Sequence, residues 1–186
     1  ITLARALDIP FATIDKALRS IEKIAGRVEI FTSPKGAEKN ITAVVDYAHT
    51  PDSLEKLYQA FPDVTKICIL GNTGGGRDTW KRPEMGEIAD RYCDQIILTN
   101  EDPYDENPRD IVDQMSNGIK NKNKLEIIMD RREAIRVAFE RASEGSFVLI
   151  SGKGTDPYIM GANGTKTPWS DAEVVQEELA KLPLTK

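Results

Sequence analysis

The stretch Ile41-Thr42-Ala43-Val44-Val45-Asp46-Tyr47-Ala48-His49-Thr50-Pro51-Asp52 decides the fold. Its first half is an apolar, β-branched run of strand character. Its second half turns polar and opens a helix, with Thr50 as a capping side chain ahead of Pro51 at the first helical position. The polar groups therefore stand at the carboxyl end of a buried strand, which in an open α/β sheet is where ligands bind. His49, the single histidine of the chain, lies in that tail.

The same arrangement recurs. Lys66 to Leu70 leads into Gly71-Asn72-Thr73-Gly74-Gly75-Gly76-Arg77-Asp78, and Gln95 to Leu98 into Thr99-Asn100-Glu101-Asp102-Pro103-Tyr104-Asp105. Leu125 to Met129 leads into Asp130-Arg131-Arg132, and Phe147 to Ile150 into Ser151-Gly152-Lys153-Gly154-Thr155-Asp156. Helix-length segments between these runs carry apolar residues at three-to-four spacing, such as Leu54, Leu57, Tyr58 and Phe61, or Ile111, Met115 and Ile119. Asn107 before Pro108 and Ser170 before Asp171 mark further helix starts. Near-continuous apolar strands alternating with amphipathic helices predict a parallel sheet covered on both faces, joined by right-handed crossovers, with all the polar loops on one edge.

Residues 1 to about 37 fall outside this rhythm. Phe11 to Ile21 reads as a short amphipathic helix, Ala25 to Phe31 as a turn and an extended piece, and Ser33-Pro34-Lys35-Gly36 as a linker. A chain that begins at Ile1 inside a helical pattern reads as a piece of something longer, and this stretch is expected to pack loosely. The whole is 186 residues, enough for one domain and a small extra piece burying roughly 70% of its unfolded surface. Thirty acidic against twenty-five basic residues, a net charge of −5 and 6% aromatics leave no basic stripe with stacking aromatics, so a nucleic-acid role is not supported. No apolar stretch approaches the roughly 20 residues that cross a bilayer. Cys68 and Cys93 lack any metal or redox spacing and are expected to be buried free thiols in a cytoplasmic protein.

Glycines 74 to 76 let backbone amides approach an anion near a helix start, and Arg77, Lys81 and Arg82 cluster beside them. A solvated charged face is the alternative. Gly161-Ala162-Asn163-Gly164-Thr165-Lys166-Thr167 is not a phosphate loop, because threonine separates Gly164 from Lys166 and no apolar strand precedes it. Glu101, Asp102 and Asp105 lack the ligand spacing of a calcium or magnesium site, so no metal ligand is assigned. Ser151 to Asp156 either forms a simple glycine loop or sets Lys153 and Asp156 beside a ligand.

Together these loops resemble the C-terminal domain of the Mur ligases, ATP-dependent amide-bond-forming enzymes of peptidoglycan precursor synthesis, and within them the ligases that add the third stem-peptide residue to UDP-N-acetylmuramoyl dipeptide. The resemblance is carried by Asp46 to Asp52, Gly75-Gly76-Arg77-Asp78 with Lys81-Arg82-Pro83, Thr99 to Pro108, Asp130 to Ile135, Gly152-Lys153-Gly154 and Trp169-Ser170-Asp171. It implies a Rossmann-like, mostly parallel α/β sheet with helices on both faces. Residues 38–186 would be the amino-acid-binding domain and residues 1–37 the tail of a central ATPase domain plus linker. It implies ATP and Mg2+ as cofactors, mostly held by that central domain. Partners would be the UDP-N-acetylmuramoyl dipeptide, an amino acid and the parent's other domains, with neither nucleic acid nor membrane.

By the same resemblance Arg27 would be catalytic, neutralising phosphate charge. Asp46 and His49 would lie at the ribose and base side of ATP, while Arg77, Asp102, Tyr104, Gly152 and Asp156 would hold the incoming amino acid. Members that add meso-diaminopimelate carry Asp-Asn-Pro-Arg in the third loop. Here Asp102 stands at the asparagine position and Tyr104 at the arginine position, and Asp156 replaces a glutamate. Asp102 and Asp156 would suit the side-chain ammonium of lysine or ornithine, with Arg77 clamping the α-carboxylate; a divergent diaminopimelate enzyme using another cation is the alternative. Two further readings stay open: another Mur-like amide ligase, cyanophycin-synthetase-like or acting on pseudomurein, and a non-catalytic binding module. The isolated chain is expected to be inactive.

Overall fold

The computed structural model describes residues 2–20, 24–76 and 78–185. From the amino end come two helices, α1 (Thr2–Ala6) and α2 (Phe11–Arg19), and a strand, β1 (Glu29–Thr32). Strand and helix then alternate as β2 (Thr42–Asp46), α3 (Pro51–Gln59), β3 (Lys66–Leu70), α4 (Lys81–Tyr92), β4 (Gln95–Leu98) and α5 (Pro108–Ser116). After them follow β5 (Leu125–Ile127), α6 (Arg131–Arg141) and β6 (Phe147–Ser151). A hairpin of β7 (Tyr158–Met160) and β8 (Lys166–Pro168) and a last helix, α7 (Asp171–Leu179), complete the chain.

The sheet order is β1-β2-β6-β3-β4-β5, with β2 to β5 mutually parallel through β6 and β1 antiparallel at the β2 edge. Successive strand residues point to opposite faces, and both faces are covered. Val44, Cys68, Leu70, Ile96, Leu98 and Leu149 pack under α3, α4 and α5. Ala43, Val45, Ile67, Ile69, Ile97, Val148 and Ile150 pack under α6 and α7. Burial on both sides is why the strands read as unbroken apolar runs. From β2 the chain passes over to β3, continues to β4 and β5, and returns to insert β6 between β2 and β3. Around that reversal the polar loops spread apart and leave a crevice.

The helix starts are built as their sequences read. Thr50 accepts from the Ser53 amide and Ser53 returns the bond to Thr50, while Asn107 and Ser170 accept from the amides of Arg109 and Glu173. The loose packing expected of residues 1 to 37 holds only for the helices, where α1 buries nothing and α2 buries Ile14. The extended piece is instead β1, an edge strand of the sheet, paired from Glu29↔Val45 to Thr32↔Thr42. Gly161 to Thr165 forms the turn of the β7–β8 hairpin, and Lys166 and Thr167 already lie in β8.

The cysteine expectation is corrected. Cys68 and Cys93 are joined in a disulfide, with Cα atoms 6.1 Å apart. Cys68 lies on the face of β3 that α4 covers, and Cys93 ends α4, so packing the helix on its own strand brings the two within bonding range. Among the described residues no helix is long and apolar enough to cross a membrane.

Candidate functional site

A cavity of about 350 Å3 opens at the carboxyl end of the parallel strands. Tyr47 and His49 line it from the loop after β2, and Thr73, Gly74, Asp78 and Lys81 from the loop after β3. Glu101, Asp102 and Tyr104 line it after β4, and Gly152 and Asp156 after β6. It thus collects His49, Asp102, Tyr104, Gly152 and Asp156 of the expected site; Arg27 and Asp46 stand beside it, and Arg77 lies outside the described residues. A more open cleft of about 780 Å3 runs along Pro157, Trp169 and the start of α7, sharing only Asp156 with this set. No charged side chain lining that cleft is buried, whereas the smaller cavity has Lys81, Glu101 and Asp102 in its wall at 9%, 3% and 6% exposure.

Asp102 is already occupied from within the chain. Lys153, itself 1% exposed, places Nζ 2.8 and 2.7 Å from the two Asp102 oxygens, and the Met160 amide donates to the same carboxylate at 2.8 Å. Asp156 lies 3.7 Å from that Nζ. The hairpin also holds the loop at Tyr104, whose amide donates to the Met160 carbonyl while its backbone sits at φ 50°. Lys153 therefore neutralises the side chain that the sequence assigns to a substrate ammonium.

Glu101 is the buried acid that sequence reasoning left without a role. Its Oε1 accepts from the Thr73 hydroxyl at 3.0 Å, while its Oε2 is buried without a hydrogen-bond partner. Burial pushes this carboxyl above the usual range, Arg131 opposes the shift and Asp102 adds to it. Gly152, at φ 110°, passes over the same carboxylate, and a Cβ there would come 2.1 Å from Oε2.

The loops after β4 and β6 are tied together from behind. Buried Arg131, first residue of α6, forks onto Asp171 at 2.8 and 2.7 Å and donates to the carbonyls of Ser151 (2.9 Å) and Asn100 (3.3 Å). Trp169 Nε1 donates to Asp171 as well, at 2.8 Å. Two motifs that the resemblance rests on, Asp130-Arg131 and Trp169-Ser170-Asp171, thus form one buried hub.

Beside the cavity, both carboxylate oxygens of Asp46 accept backbone amides, from Val28 at 2.7 Å and from Ala48 at 2.8 Å. The first bond fixes the turn before β1, where Val28 sits at φ 47°, a costly conformation for a β-branched residue. Gly26 allows this turn to press on the β6 loop, since a Cβ there would lie 2.6 Å from the Thr155 amide nitrogen. Arg27 is exposed and lays its guanidinium 4.4 Å from the centre of the Tyr47 ring. His49 meets that ring edge to face, with centroids 4.8 Å apart and Nδ1 2.8 Å from the Tyr47 carbonyl oxygen. Burial and Asp156 raise the Tyr47 hydroxyl, against Arg27.

The glycine loop is less open to an anion than its sequence reads. The Gly74 amide donates to the Asp102 carbonyl at 2.7 Å and the Gly76 amide to Glu106. Of the clustered cations, Arg82 is fully buried, paired with Glu106 at 2.9 Å and bonded to Asn72, Gln114 and the Thr73 carbonyl. The Lys81 amide donates to the Asp78 carbonyl at 3.2 Å, while its ammonium has no hydrogen-bond or ion-pair partner among the described residues.

Residues 26–154 match the family described as Mur ligase, glutamate ligase domain. A UDP-N-acetylmuramoyl-L-alanyl-D-glutamate–2,6-diaminopimelate ligase of Aquifex aeolicus is 42% identical over 169 residues, covering 89% of this chain and 33% of its own. The ligase of the same name from Chlorobaculum tepidum is 40% identical over 185 residues, covering 97% and 35%. A solved structure of a ligase of that name superposes with a TM-score of 0.74 at 28% identity, over 96% of this chain and 36% of that one. A pseudomurein peptide ligase type C from Methanothermus fervidus shares the fold, with a TM-score of 0.59 at 16% identity, over 81% and 31%. The chain spans about a third of the length of these relatives. Because the matched residues run from the turn before β1 through β6 and include every cavity loop as far as Gly154, the chain belongs to the Mur ligase family, whose glutamate ligase domain it carries.

Proposed function

We propose that the chain from the Gly26 turn onward, β1 included, is the amino-acid-delivering C-terminal domain of a cytoplasmic, ATP-dependent ligase that adds the third stem-peptide residue to UDP-N-acetylmuramoyl dipeptide, and that the residues before it are the tail of its central ATPase domain. The observation that carries this reading is the cavity at the strand ends, where buried acids stand with a lysine whose ammonium has no partner among the described residues. That mixture suits a small zwitterion. When bound, ATP with Mg2+ supplies the phosphoryl group that activates the dipeptide carboxylate. The incoming amine then attacks the activated carbon, a C–N bond forms, the C–O bond to phosphate breaks, and the nitrogen gives up a proton. For this chain the work is positioning and charge stabilisation.

Arg27 fits the phosphate role. Its guanidinium makes no hydrogen bond or ion pair with a described residue and is aimed by Tyr47, so its donors are available to phosphate oxygens. Asp46 supports it by holding Val28, and His49 offers a ring edge toward the nucleotide side. No trio of metal-ligating side chains occurs among the described residues, and the Mg2+ ligands are assigned to the central domain.

With Asp102 held by Lys153, the lining acids left for a substrate ammonium are Glu101 and Asp156, with Asp78 at the exposed rim. The incoming residue is therefore one with a second amino group, and of diaminopimelate, lysine and ornithine the names of the relatives favour diaminopimelate. The test is a competition assay in the ligase of full family length, with ATP, Mg2+, the UDP-N-acetylmuramoyl dipeptide and all three amino acids. The diaminopimelate tripeptide is the expected product. Absence of any amide product would overturn the reading, and a lysine product would reassign the specificity.

A further inference from the structure

Among the described residues that line the cavity, Lys81 is the one side chain with a permanent positive charge. It is 9% exposed, and its ammonium has no hydrogen-bond or ion-pair partner among the described residues. The side chain is packed into the wall while its ammonium faces the cavity, so its three donors are available to an anion seated there. The neighbouring cations do not share this state: Arg82 is saturated by Glu106, Asn72 and Gln114, and Lys153 by Asp102. Glu101 and Asp156 in the same wall would repel a phosphate but would pair with the ammonium of a zwitterion. Depth decides which end of the ligand Lys81 meets. On the function proposed above, the reacting amine must face an acyl donor held outside this cavity, so the end that reaches the buried wall at Lys81 and Glu101 is the non-reacting one.

We infer that Lys81 receives the distal carboxylate of the incoming amino acid, so that Lys81 with Glu101 and Asp156 reads a distal centre bearing both carboxylate and ammonium. Diaminopimelate has such a centre and lysine has only the ammonium. Lys81 is then the residue that separates the two. The inference rests on the function proposed above.

The experiment is direct binding to this chain, followed by NMR of the lysine side chains, with meso-diaminopimelate, lysine and inorganic phosphate as separate probes. In the unmodified protein the Lys81 Cε signal should move with diaminopimelate and stay in place with lysine and with phosphate. Lys81→Met should weaken diaminopimelate binding at least tenfold while changing lysine binding less than twofold, and Lys81→Arg should restore most of the loss. A Lys81 signal that moves with phosphate instead, or a folded Lys81→Met protein that binds diaminopimelate as tightly as the parent, would overturn the assignment. Equal losses for lysine and diaminopimelate would overturn the distal placement. Diaminopimelate binding that is intact but independent of Lys81 leaves the proposed function standing, whereas failure of the unmodified chain to bind either amino acid removes both. The wild-type signal keeps the inference falsifiable if the variants do not fold.

Discussion

Glu101 shows how one side chain can be held against its own preference. Burial raises its pKa above the usual 4.5, so between the unfolded and folded values the native state binds more protons than the unfolded state. The associated stability is complete below the unfolded pKa and is lost as pH rises through the raised one. Glu101→Gln keeps an acceptor for Thr73 and removes the charge, so it should gain on the parent protein as pH rises. Urea unfolding of both proteins at about pH 4 and about pH 8 measures this; a difference that stays flat across that range would contradict it. The same substitution should weaken binding of a diamino acid, since an ammonium seated against Oε2 favours the charged form that burial disfavours. Gly152 belongs to the same constraint. A Cβ there would meet Glu101 Oε2 at 2.1 Å on a backbone at φ 110°, and Gly152→Ala should lose about 1–3 kcal/mol. Adding Glu101→Ala should return the steric part and leave the backbone part, a coupling that a double-mutant cycle reads directly. Purely additive losses would mean that the two residues do not press on each other.

At the level of elements, the helix starts were legible because a cap is local: Thr50-Pro51, Asn107-Pro108 and Ser170-Asp171 each carry their signal within a few residues. What Asp171 does beyond starting α7 was not legible, because its partner Arg131 is 40 residues away in another helix. The same holds for Lys153 and Asp102, 51 residues apart, and it is why Asp102 reads as free for a ligand when the sequence is taken alone. Arg131 joins the amino ends of α6 and α7 to the loops after β4 and β6, so it sets the width of the cavity mouth from the back. Asp171→Asn should cost about 3–5 kcal/mol, since it leaves a buried guanidinium short of its counter-charge, and should speed amide exchange in the Asn100 and Gly152 loops ahead of the sheet. Arg131→Met with Asp171→Leu should be milder than Asp171→Asn alone. An exposed-pair magnitude below about 1 kcal/mol for Asp171→Asn would show the hub to be loose.

Across the whole molecule, the parallel sheet could be read because strands buried on both faces are apolar without interruption, and the shared edge for the loops follows from parallelism alone. Strand order could not be read, since apolar runs carry no register; nor could the antiparallel pairing of β1, which reads as an extended piece with nothing to name its neighbour. The gathering of His49, Asp102, Tyr104, Gly152 and Asp156 followed from the edge, while the pairing that silences Asp102 and leaves Lys81 open did not. The Cys68–Cys93 bond was also hidden, because its 25-residue spacing is set by how α4 lies on β3. Breaking it should lower stability by about 2–4 kcal/mol, measured as a shift in the urea midpoint of the Cys68→Ala, Cys93→Ala protein; an unchanged midpoint would show the bond to be incidental. Its sulfurs belong to residues 0% and 4% exposed, so a soluble reductant reaches them only when α4 lifts from the sheet. The rate at which dithiothreitol opens the bond then reports how often this half of the core breathes, and a ligand that seats against Lys81, the first residue of that helix, should slow the reaction from a distance.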